Sequence, residues 1–256
     1  MNLEERIGIY YTSLTKSEKD VYQAVLNNPE VIVDKSIQEA AISYNVSPAS
    51  IQRFVKRVGY RGYTEFKLDV EDIIAQNNNK DSSTGNSKLS GIIDAYLKTF
   101  KTLRDMDIDN VMYQLANDIK KYDIVKALGI GNSALSAEQL VYSMYSEEKF
   151  IEAIPDKIKI DYLENCLTDK YLLIIFSVTG STITYEKLMQ TAQKKHIKVY
   201  LITMNQETPL LKYTDNSIIL PSTNIRNTDN SLYRVDNRTI LYSFAEVISY
   251  YYASLN

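Results

Sequence analysis

Four hydroxyl side chains crowd into six residues at Ser177, Thr179, Ser181 and Thr182, gathered around Gly180. They follow the apolar run Leu173–Phe176 directly, and a new apolar helical pattern begins at Leu188. A buried parallel strand that ends in a polar loop and opens a helix is where an open α/β sheet receives a ligand. Backbone N–H groups at a helix start, with hydroxyls beside them, suit an anion. A second loop of this kind, Gly129-Ile130-Gly131-Asn132-Ser133, follows the short apolar stretch from Tyr122. It is not the dinucleotide fingerprint, because no third glycine stands at the required spacing. Neither loop contains Lys or Arg, so binding rests on N–H and hydroxyl donors plus the helix dipole. Those donors suit a phosphate monoester on a sugar better than a triphosphate, which normally brings a P-loop lysine and a metal. The plainer alternative is that the hydroxyls only cap the helices that follow. Four in six residues exceed what one cap needs.

Candidates for general-base chemistry are few. Proton-transfer chemistry on a bound ligand requires a base within reach of the proton it moves. His196, the only histidine, stands at the entry of a later apolar run, away from the two loops, and is expected to be structural. Glu138, one turn beyond the first loop, and Glu246, in the last helix, remain, and neither lies in a motif that commits it. No catalytic residue and no cofactor are assigned, and a sensor is expected rather than an enzyme. Cys166 is the only cysteine, which excludes an internal disulfide and fits a reducing cytoplasm. One Cys and one His cannot supply a structural zinc site.

A different chemistry stands in the first third of the chain. Between Ser50 and Lys67 there are five cations, Arg53, Lys56, Arg57, Arg61 and Lys67, against Glu65 alone, a local net of +4. The rest of residues 1–76 carries four cations against ten carboxylates, and the whole chain of 256 residues has a net charge of −3. A positive patch confined to one segment of an acidic protein is what docking to DNA requires. Gln52 and Arg53 can make bidentate contacts with A and G edges in a major groove. Ser47 and Ser50, at the start of the same segment, suit phosphate or base edges. A solvated basic face on a helical interaction module is the bland alternative.

The elements that must position these groups are legible in the pattern. With 45% hydrophobic and 24% charged residues the chain reads as globular, with one large or two modest domains. From Leu14 to Ile74 everything reads as helix. Thr15-Lys16-Ser17-Glu18 and Ser36-Ile37-Gln38-Glu39 have capping-box spacing, and Asn28-Pro29 ends the first helix. Asn45-Val46 makes a turn, Ser47-Pro48 starts the third helix, and Gly59 is placed to end it. Two short helices joined by a tight turn outline a helix-turn-helix. The stretch Gln76–Ser87 holds no apolar residue and reads as a flexible tether, giving domains 1–75 and 88–256 around a linker at 76–87.

Here the residues resemble a known family. Val46-Ser47-Pro48-Ala49-Ser50-Ile51-Gln52-Arg53-Phe54-Val55-Lys56-Arg57-Val58-Gly59-Tyr60-Arg61-Gly62-Tyr63-Thr64-Glu65-Phe66-Lys67 is similar to the helix-turn-helix signature of the RpiR (MurR/RpiR) transcriptional regulators. The segments Leu14–Lys19 and Ser36–Ala41 resemble that family's entries into its first two helices. The resemblance implies DNA binding by Ser47, Ser50, Gln52, Arg53, Lys56, Arg57 and Arg61. Gln52 departs from it, since the family more often has an aliphatic residue there.

Beyond the tether, helical patterns at 89–103 and 111–119 lead into alternating strands and helices. Strands are expected at 122–129, 150–154, 171–176, 199–203 and 217–220, with helices to about Tyr145, at 158–167 and at 183–195. That alternation implies a parallel sheet covered on both faces, so the whole reads as an all-helical domain followed by a three-layer α/β domain. This half resembles the sugar isomerase (SIS) domain in Gly129–Ser133, Ser177–Thr182 and Leu201-Ile202-Thr203, with Pro209-Leu210 and Asp215 beyond. The resemblance implies a phosphosugar held by Ser133, Ser177, Thr179 and Thr182, with Gly180 and Ser181 supplying backbone.

Residues 223–233 read as a polar loop that could cover the pocket, with Arg226, Arg234 and Arg238 as cations that could reach a phosphate or merely face solvent. The final helix, 240–252, is apolar on most sides, which predicts burial at a subunit interface. The expected assembly is therefore a homodimer or tetramer offering paired heads to a DNA operator. The N-terminus, Met1–Arg6, lacks a signal-peptide pattern, and no apolar run reaches membrane-spanning length. The combined expectation is a cytoplasmic transcription regulator of carbohydrate metabolism genes, governed by a sugar phosphate, without metal or membrane. The rivals are a phosphosugar isomerase with an accessory helical module and an architectural DNA-bound protein.

Overall fold

The computed structural model describes residues 3–77, 87–214, 216–226, 232–236 and 238–255. The chain divides into two compact units, residues 1–98 with 222–236 and residues 99–221 with 237–256.

The first unit is helical: α1 (Leu3–Tyr10), α2 (Lys16–Asn27), α3 (Glu30–Asp34), α4 (Ile37–Ser43), α5 (Pro48–Arg57) and α6 (Tyr63–Asn77). Both capping boxes form, with Thr15 and Ser36 accepting the backbone N–H of Glu18 and Glu39 while each glutamate returns to its cap. Ser47 caps α5 with Pro48 in its first turn, Asn45 sits at φ 53 before it, and Gly59 sits at φ 88 after it. Each side-chain cap contributes about 1 kcal/mol. Val21, Tyr22, Ile51, Phe54, Val55, Val58 and Phe66 form one core, with Phe54 edge-on to Phe66 at 5.7 Å.

Helix α1 is an addition to the sequence reading, and α3 is a separate short helix between the two capping boxes. Leu3, Ile7 and Ile9 of α1 are buried, and Arg6 donates from Nη1 to the Gly59 carbonyl at 3.1 Å with its guanidinium 4.5 Å over the Tyr60 ring. Tyr60 donates to the Asp69 carboxylate, and burial followed by that carboxylate pushes its pKa well above the ordinary value.

Helix α7 (Lys88–Arg104) follows, and the division between the units falls inside it, after Lys98. The sequence placed the boundary at 76–87, of which residues 78–86 lie outside the described residues.

The second unit contains α8 (Asp109–Lys121), β1 (Ile124–Leu128), α9 (Asn132–Tyr145), β2 (Glu152–Ile154), α10 (Lys157–Cys166), β3 (Tyr171–Ser177), α11 (Thr182–Lys194), β4 (Lys198–Thr203) and β5 (Asn216–Ile219). The sheet order is β2-β1-β3-β4-β5, every pair parallel. Central β3 is covered on both faces, with Leu172 to Phe176 all at 0% exposure, which is why it reads as one continuous apolar run. Leu173, Ile175, Val199 and Leu201 share a core with Ile160 and Leu163 of α10 and Leu188, Met189 and Ala192 of α11. Helix α8 is fastened to β4 by Asp118, which accepts from the Tyr200 hydroxyl at 2.6 Å and pairs with Lys198 at 2.7 Å.

Two expectations change here. Residues 223–233 are not simply a loop: β6 (Thr223–Arg226) and β7 (Leu232–Asp236) pair antiparallel, with 227–231 outside the described residues. This hairpin belongs to the first unit, because Ile225 and Val235 are buried and Val235 joins the core built on Leu3, Ile7 and Phe54. It lies so close to α1 that a Cβ on Gly8 would stand 2.2 Å from Ser222 Oγ. The side chains of Arg226 and Arg234 lie outside the described residues, and Arg238 is exposed at the start of the last helix. That helix, α12 (Arg238–Ala253), does not need a partner subunit to cover its apolar girth. Ile240, Leu241, Phe244, Ala245, Ile248 and Tyr252 are buried within the unit, where α12 packs on α8 and α9. Tyr242, Glu246 and Tyr250 form its exposed side. No helix among the described residues is long and apolar enough to cross a membrane.

Candidate functional sites: a basic helix face and a hydroxyl-lined strand end

Helix α5 divides cleanly. Ile51, Phe54, Val55 and Val58 turn into the core, whereas Gln52, Arg53, Lys56 and Arg57 are exposed together with Ser47 before them and Arg61 beyond. The face is pre-shaped by local bonds, and these sort the seven candidates. Ser47 Oγ accepts the Ser50 N–H at 3.0 Å, as an N-cap should. Ser50 is not available to phosphate or base edges as expected, because it is 7% exposed and turned toward α2. Its hydroxyl lies 2.8 Å from Ser47 Oγ and 3.5 Å from Ser17 Oγ, and it accepts from Arg53 Nη2 at 3.1 Å. Ser50 is therefore held against α2 and bonded to the Arg53 guanidinium.

The remaining cations divide their work. Lys56 donates to the Arg61 carbonyl, and the Arg61 N–H donates to Glu65 at 2.7 Å, which folds the segment after α5 back on itself. Arg57 Nε stands 3.6 Å from Glu18 Oε1 on α2. Burial works to raise the Glu18 pKa, but the Thr15 backbone and hydroxyl bonds, and then Arg57, outweigh it and hold the carboxyl below its ordinary value. Arg57 is thus partly committed to bracing α5 against α2. Gln52 and Arg53 remain the best-presented pair for bidentate contacts.

In the second unit the two hydroxyl-bearing loops are neighbours. Strands β1 and β3 pair directly, with Leu128 beside Ile175, so their carboxyl ends lie about 4.8 Å apart. Between them the order reverses: β1 leads through α9 to β2 on one side, and β3 leads through α11 to β4 on the other. This is the topological switch point at which open parallel sheets hold ligands. After β1 the chain turns at Gly131 (φ 60), and Ser133 sits in the first turn of α9 at 8% exposure. Among the described residues no side-chain hydrogen bond engages the Ser133 hydroxyl.

The loop after β3 is more elaborate. Ser177 ends the strand at 6% exposure, and its Oγ lies 3.4 Å from the Ser181 N–H. Gly180 has φ 58 and donates its N–H to the Ser177 carbonyl at 3.2 Å. Ser181 caps α11 by accepting from the Thr184 N–H at 3.3 Å, so its side chain is used as the plainer reading expected. Thr179 and Thr182 are half-buried, and Thr182 opens α11, where the first amides have no acceptor inside the helix. Ser133, Ser177, Thr179, Gly180, Ser181 and Thr182 are therefore gathered at adjacent strand ends.

Three residues at this site carry no signal in composition or spacing alone. Thr203 Oγ1 donates to the Val178 carbonyl at 3.2 Å, Asn205 Nδ2 to the Thr179 carbonyl at 2.9 Å, and Thr208 Oγ1 to the Gly180 carbonyl at 2.7 Å. In the sequence Thr203 ends the strand expected at 199–203, and Asn205 and Thr208 follow it as polar residues ahead of Pro209, with nothing in their spacing to mark them as support for another loop. Asp215 lies outside the described residues. Of the candidate bases, Glu246 is exposed on α12 and Glu138 is half-buried on α9. His196 is exposed at φ 56 in the turn that ends α11, a backbone role away from the switch point.

Comparison with known proteins agrees with both halves. Residues 1–77 match the family model described as a helix-turn-helix domain of the rpiR family, and residues 121–245 match the SIS domain. An uncharacterized HTH-type transcriptional regulator of Haemophilus influenzae is 25% identical over 85% of this chain and 79% of its own. The HTH-type transcriptional regulator HexR of Escherichia coli is 27% identical over 86% of this chain and 78% of its own. Among solved structures, the Vibrio vulnificus NanR protein complexed with ManNAc-6P has a TM-score of 0.51 at 17% identity, covering 94% of this chain and 87% of that one. The sugar isomerase domain of the RpiR transcription factor from Sphaerobacter thermophilus has a TM-score of 0.55 at 15% identity, covering 67% and 92%. At those identities the likeness is one of fold.

Proposed function

The chain is a transcriptional regulator that joins a helix-turn-helix domain of the rpiR family to a SIS domain, and from that premise we propose that a sugar phosphate bound at the β1/β3 switch point sets its affinity for DNA. The observation that carries this reading is the direct pairing of β1 with β3, which sets two loops of amide and hydroxyl donors side by side. Neither loop holds Lys or Arg, so the bound group is a phosphate monoester cradled by Ser133, Ser177, Thr179 and Thr182 with the backbone of Gly180 and Ser181. The similar fold of NanR in complex with ManNAc-6P supports a phosphosugar of that general kind.

The DNA end of the reading rests on Gln52 and Arg53 at base edges, with Ser47, Lys56, Arg61 and the exposed part of Arg57 toward phosphates. Ser50 acts through Arg53. Two copies presenting two such helices would meet a two-fold operator, and light scattering of the free protein tests that pairing. The ligand regulates only through a difference in its affinity for two arrangements of the protein, typically about 1–3 kcal/mol. The reading is of a sensor controlling carbohydrate genes and not of an isomerase.

The experiment is a gel shift on the gene's own upstream DNA across a panel of sugar phosphates. One sugar phosphate is expected to change the DNA affinity, and Thr182→Ala with Ser177→Ala is expected to abolish that change without altering DNA binding in its absence. A panel that leaves DNA affinity unchanged, or turnover of a sugar phosphate that Glu138→Gln removes, would overturn the sensor reading.

A further inference from the structure

We propose that Thr203, Asn205 and Thr208 are positioning residues that fix which way the peptide planes of the Ser177–Thr182 loop face, and this rests on the reading of that loop as an anion site. A trans peptide plane points its carbonyl and the following N–H in opposite directions. The Val178 carbonyl receives the Thr203 hydroxyl at 3.2 Å and the Met204 N–H at 3.2 Å. The next carbonyl, of Thr179, receives Asn205 Nδ2 at 2.9 Å, and the next, of Gly180, receives the Thr208 hydroxyl at 2.7 Å. Three successive carbonyls are thus drawn toward the end of β4, and the amides of Thr179, Gly180 and Ser181 face the other way.

The consequence is electrostatic. A single flipped plane would replace an N–H by a carbonyl oxygen and set a partial negative charge against the anion. The donors are held as firmly as the acceptors, because Thr203, Asn205 and Thr208 are 0%, 4% and 3% exposed. Each also has a second bond on its own segment: Thr203 Oγ1 accepts the Asn205 N–H at 3.1 Å, Asn205 Oδ1 the Glu207 N–H at 3.0 Å, and Thr208 Oγ1 the Leu210 N–H at 3.3 Å. The clamp is therefore anchored in its own segment, between β4 and the 3₁₀ turn Pro209–Tyr213 that follows it. Of the amides it turns, Gly180 answers the Ser177 carbonyl and Ser181 makes only the long 3.4 Å contact with Ser177 Oγ. The Thr179 amide has no acceptor among the described residues. Gly180 completes the fit, since a Cβ there would stand 2.5 Å from Thr208 Oγ1.

The test is amide NMR of the full-length protein titrated with inorganic phosphate, with thermal melting recorded in parallel. In the wild type the Thr179 and Thr182 amides are expected to shift saturably. Thr208→Val keeps the shape and loses the donor, and is expected to weaken phosphate by about tenfold, with Thr208→Ser returning it to within about twofold of wild type. Rescue by serine separates an aimed hydroxyl from mere filling of space. If Thr208→Val binds phosphate as the wild type does, the positioning role is wrong while the anion reading stands. If the wild-type amides do not respond at all, the anion reading fails and takes the positioning role with it. Should Thr208→Val melt far below the wild type, Asn205→Ala removes the donor to a different carbonyl. Wild-type phosphate affinity in that variant overturns the proposal, and a loss with Thr179 as the most altered amide supports it.

Discussion

Arg53→Ala and Arg57→Ala remove the same guanidinium from positions one helical turn apart, and the structure assigns them opposite consequences. Arg53 is exposed and touches the protein through Ser50 Oγ at 3.1 Å, so truncating it leaves the fold nearly untouched. Loss of a bidentate base contact costs about 1–3 kcal/mol of DNA affinity, or about 5- to 150-fold. Arg57 stands 3.6 Å from Glu18, with its own side chain 50% exposed and that of Glu18 at 4%. Solvent screening on the Arg57 side limits such a pair to about 0.5–1 kcal/mol. At about 4–8 °C per kcal/mol for a domain of this size, Arg57→Ala lowers the melting point of the first unit by a few degrees. Fluorescence anisotropy on an upstream duplex at moderate salt, with circular dichroism melts, measures both. Arg53→Ala is expected to lose affinity and sequence preference at an unchanged melting point. Arg57→Ala is expected to lose stability first. Wild-type DNA affinity in Arg53→Ala would refute the assignment of α5 as the reading helix. A large affinity loss in Arg57→Ala at an unchanged melting point would refute its bracing role.

The other predictions use the same logic. Glu18 has a depressed pKa, so the stability it contributes is complete above its unfolded value near 4.5 and is lost as pH falls through the lower folded value. Melts of the wild type and Glu18→Gln between pH 7 and pH 3 should converge at the acid end, and a constant gap would show that the carboxylate charge does not matter. Gly180→Ala forces a side chain to φ 58 and against Thr208, so a stability loss of about 1–3 kcal/mol with loss of the phosphate response is expected in melts and titrations. A normal phosphate response there would mean the loop has room to adapt. Gly8→Ala should destabilise, although Gly→Ala inside a helix ordinarily gains about 0.5–1 kcal/mol, because the new Cβ would meet Ser222 Oγ at 2.2 Å and its Cβ at 2.7 Å. Ser222→Gly should restore the melting point of Gly8→Ala, and its failure to do so would mean the hairpin does not press on α1.

Local rules made much of this protein readable. The caps at Thr15, Ser36 and Ser47, the turn at Asn45 and the stop at Gly59 are interactions among residues within a few positions of each other, so their spacing is sufficient. The continuous run at β3 identifies a strand buried on both faces, and the hydroxyls after it mark a helix start at a strand end. Other features are set by distant partners and leave no periodic trace. Residues 223–233 look polar and loop-like because in a hairpin that lies on a helix only a few residues, such as Ile225 and, beyond that stretch, Val235, need to be apolar. Helix α12 looks like an interface because apolarity in a sequence shows that a surface is buried, not whether the cover comes from α8 and α9 or from another subunit. Ser50 looks as open as Ser47, and Arg57 as uncommitted as Arg53, because charge and hydroxyl content do not reveal that Ser17 and Glu18 stand beside them.

The sequence by itself determined the chemistry offered: a capped basic helix, and two strand ends rich in amides and hydroxyls without a cation. Tertiary structure alone decided which of those groups stand together. Strand order is set by long-range pairing and not by local preference, and it is this order that makes β1 and β3 neighbours. The same packing brings Thr203, Asn205 and Thr208 behind the loop, because hydrogen bonds between segments some 25 residues apart depend on the fold and not on spacing.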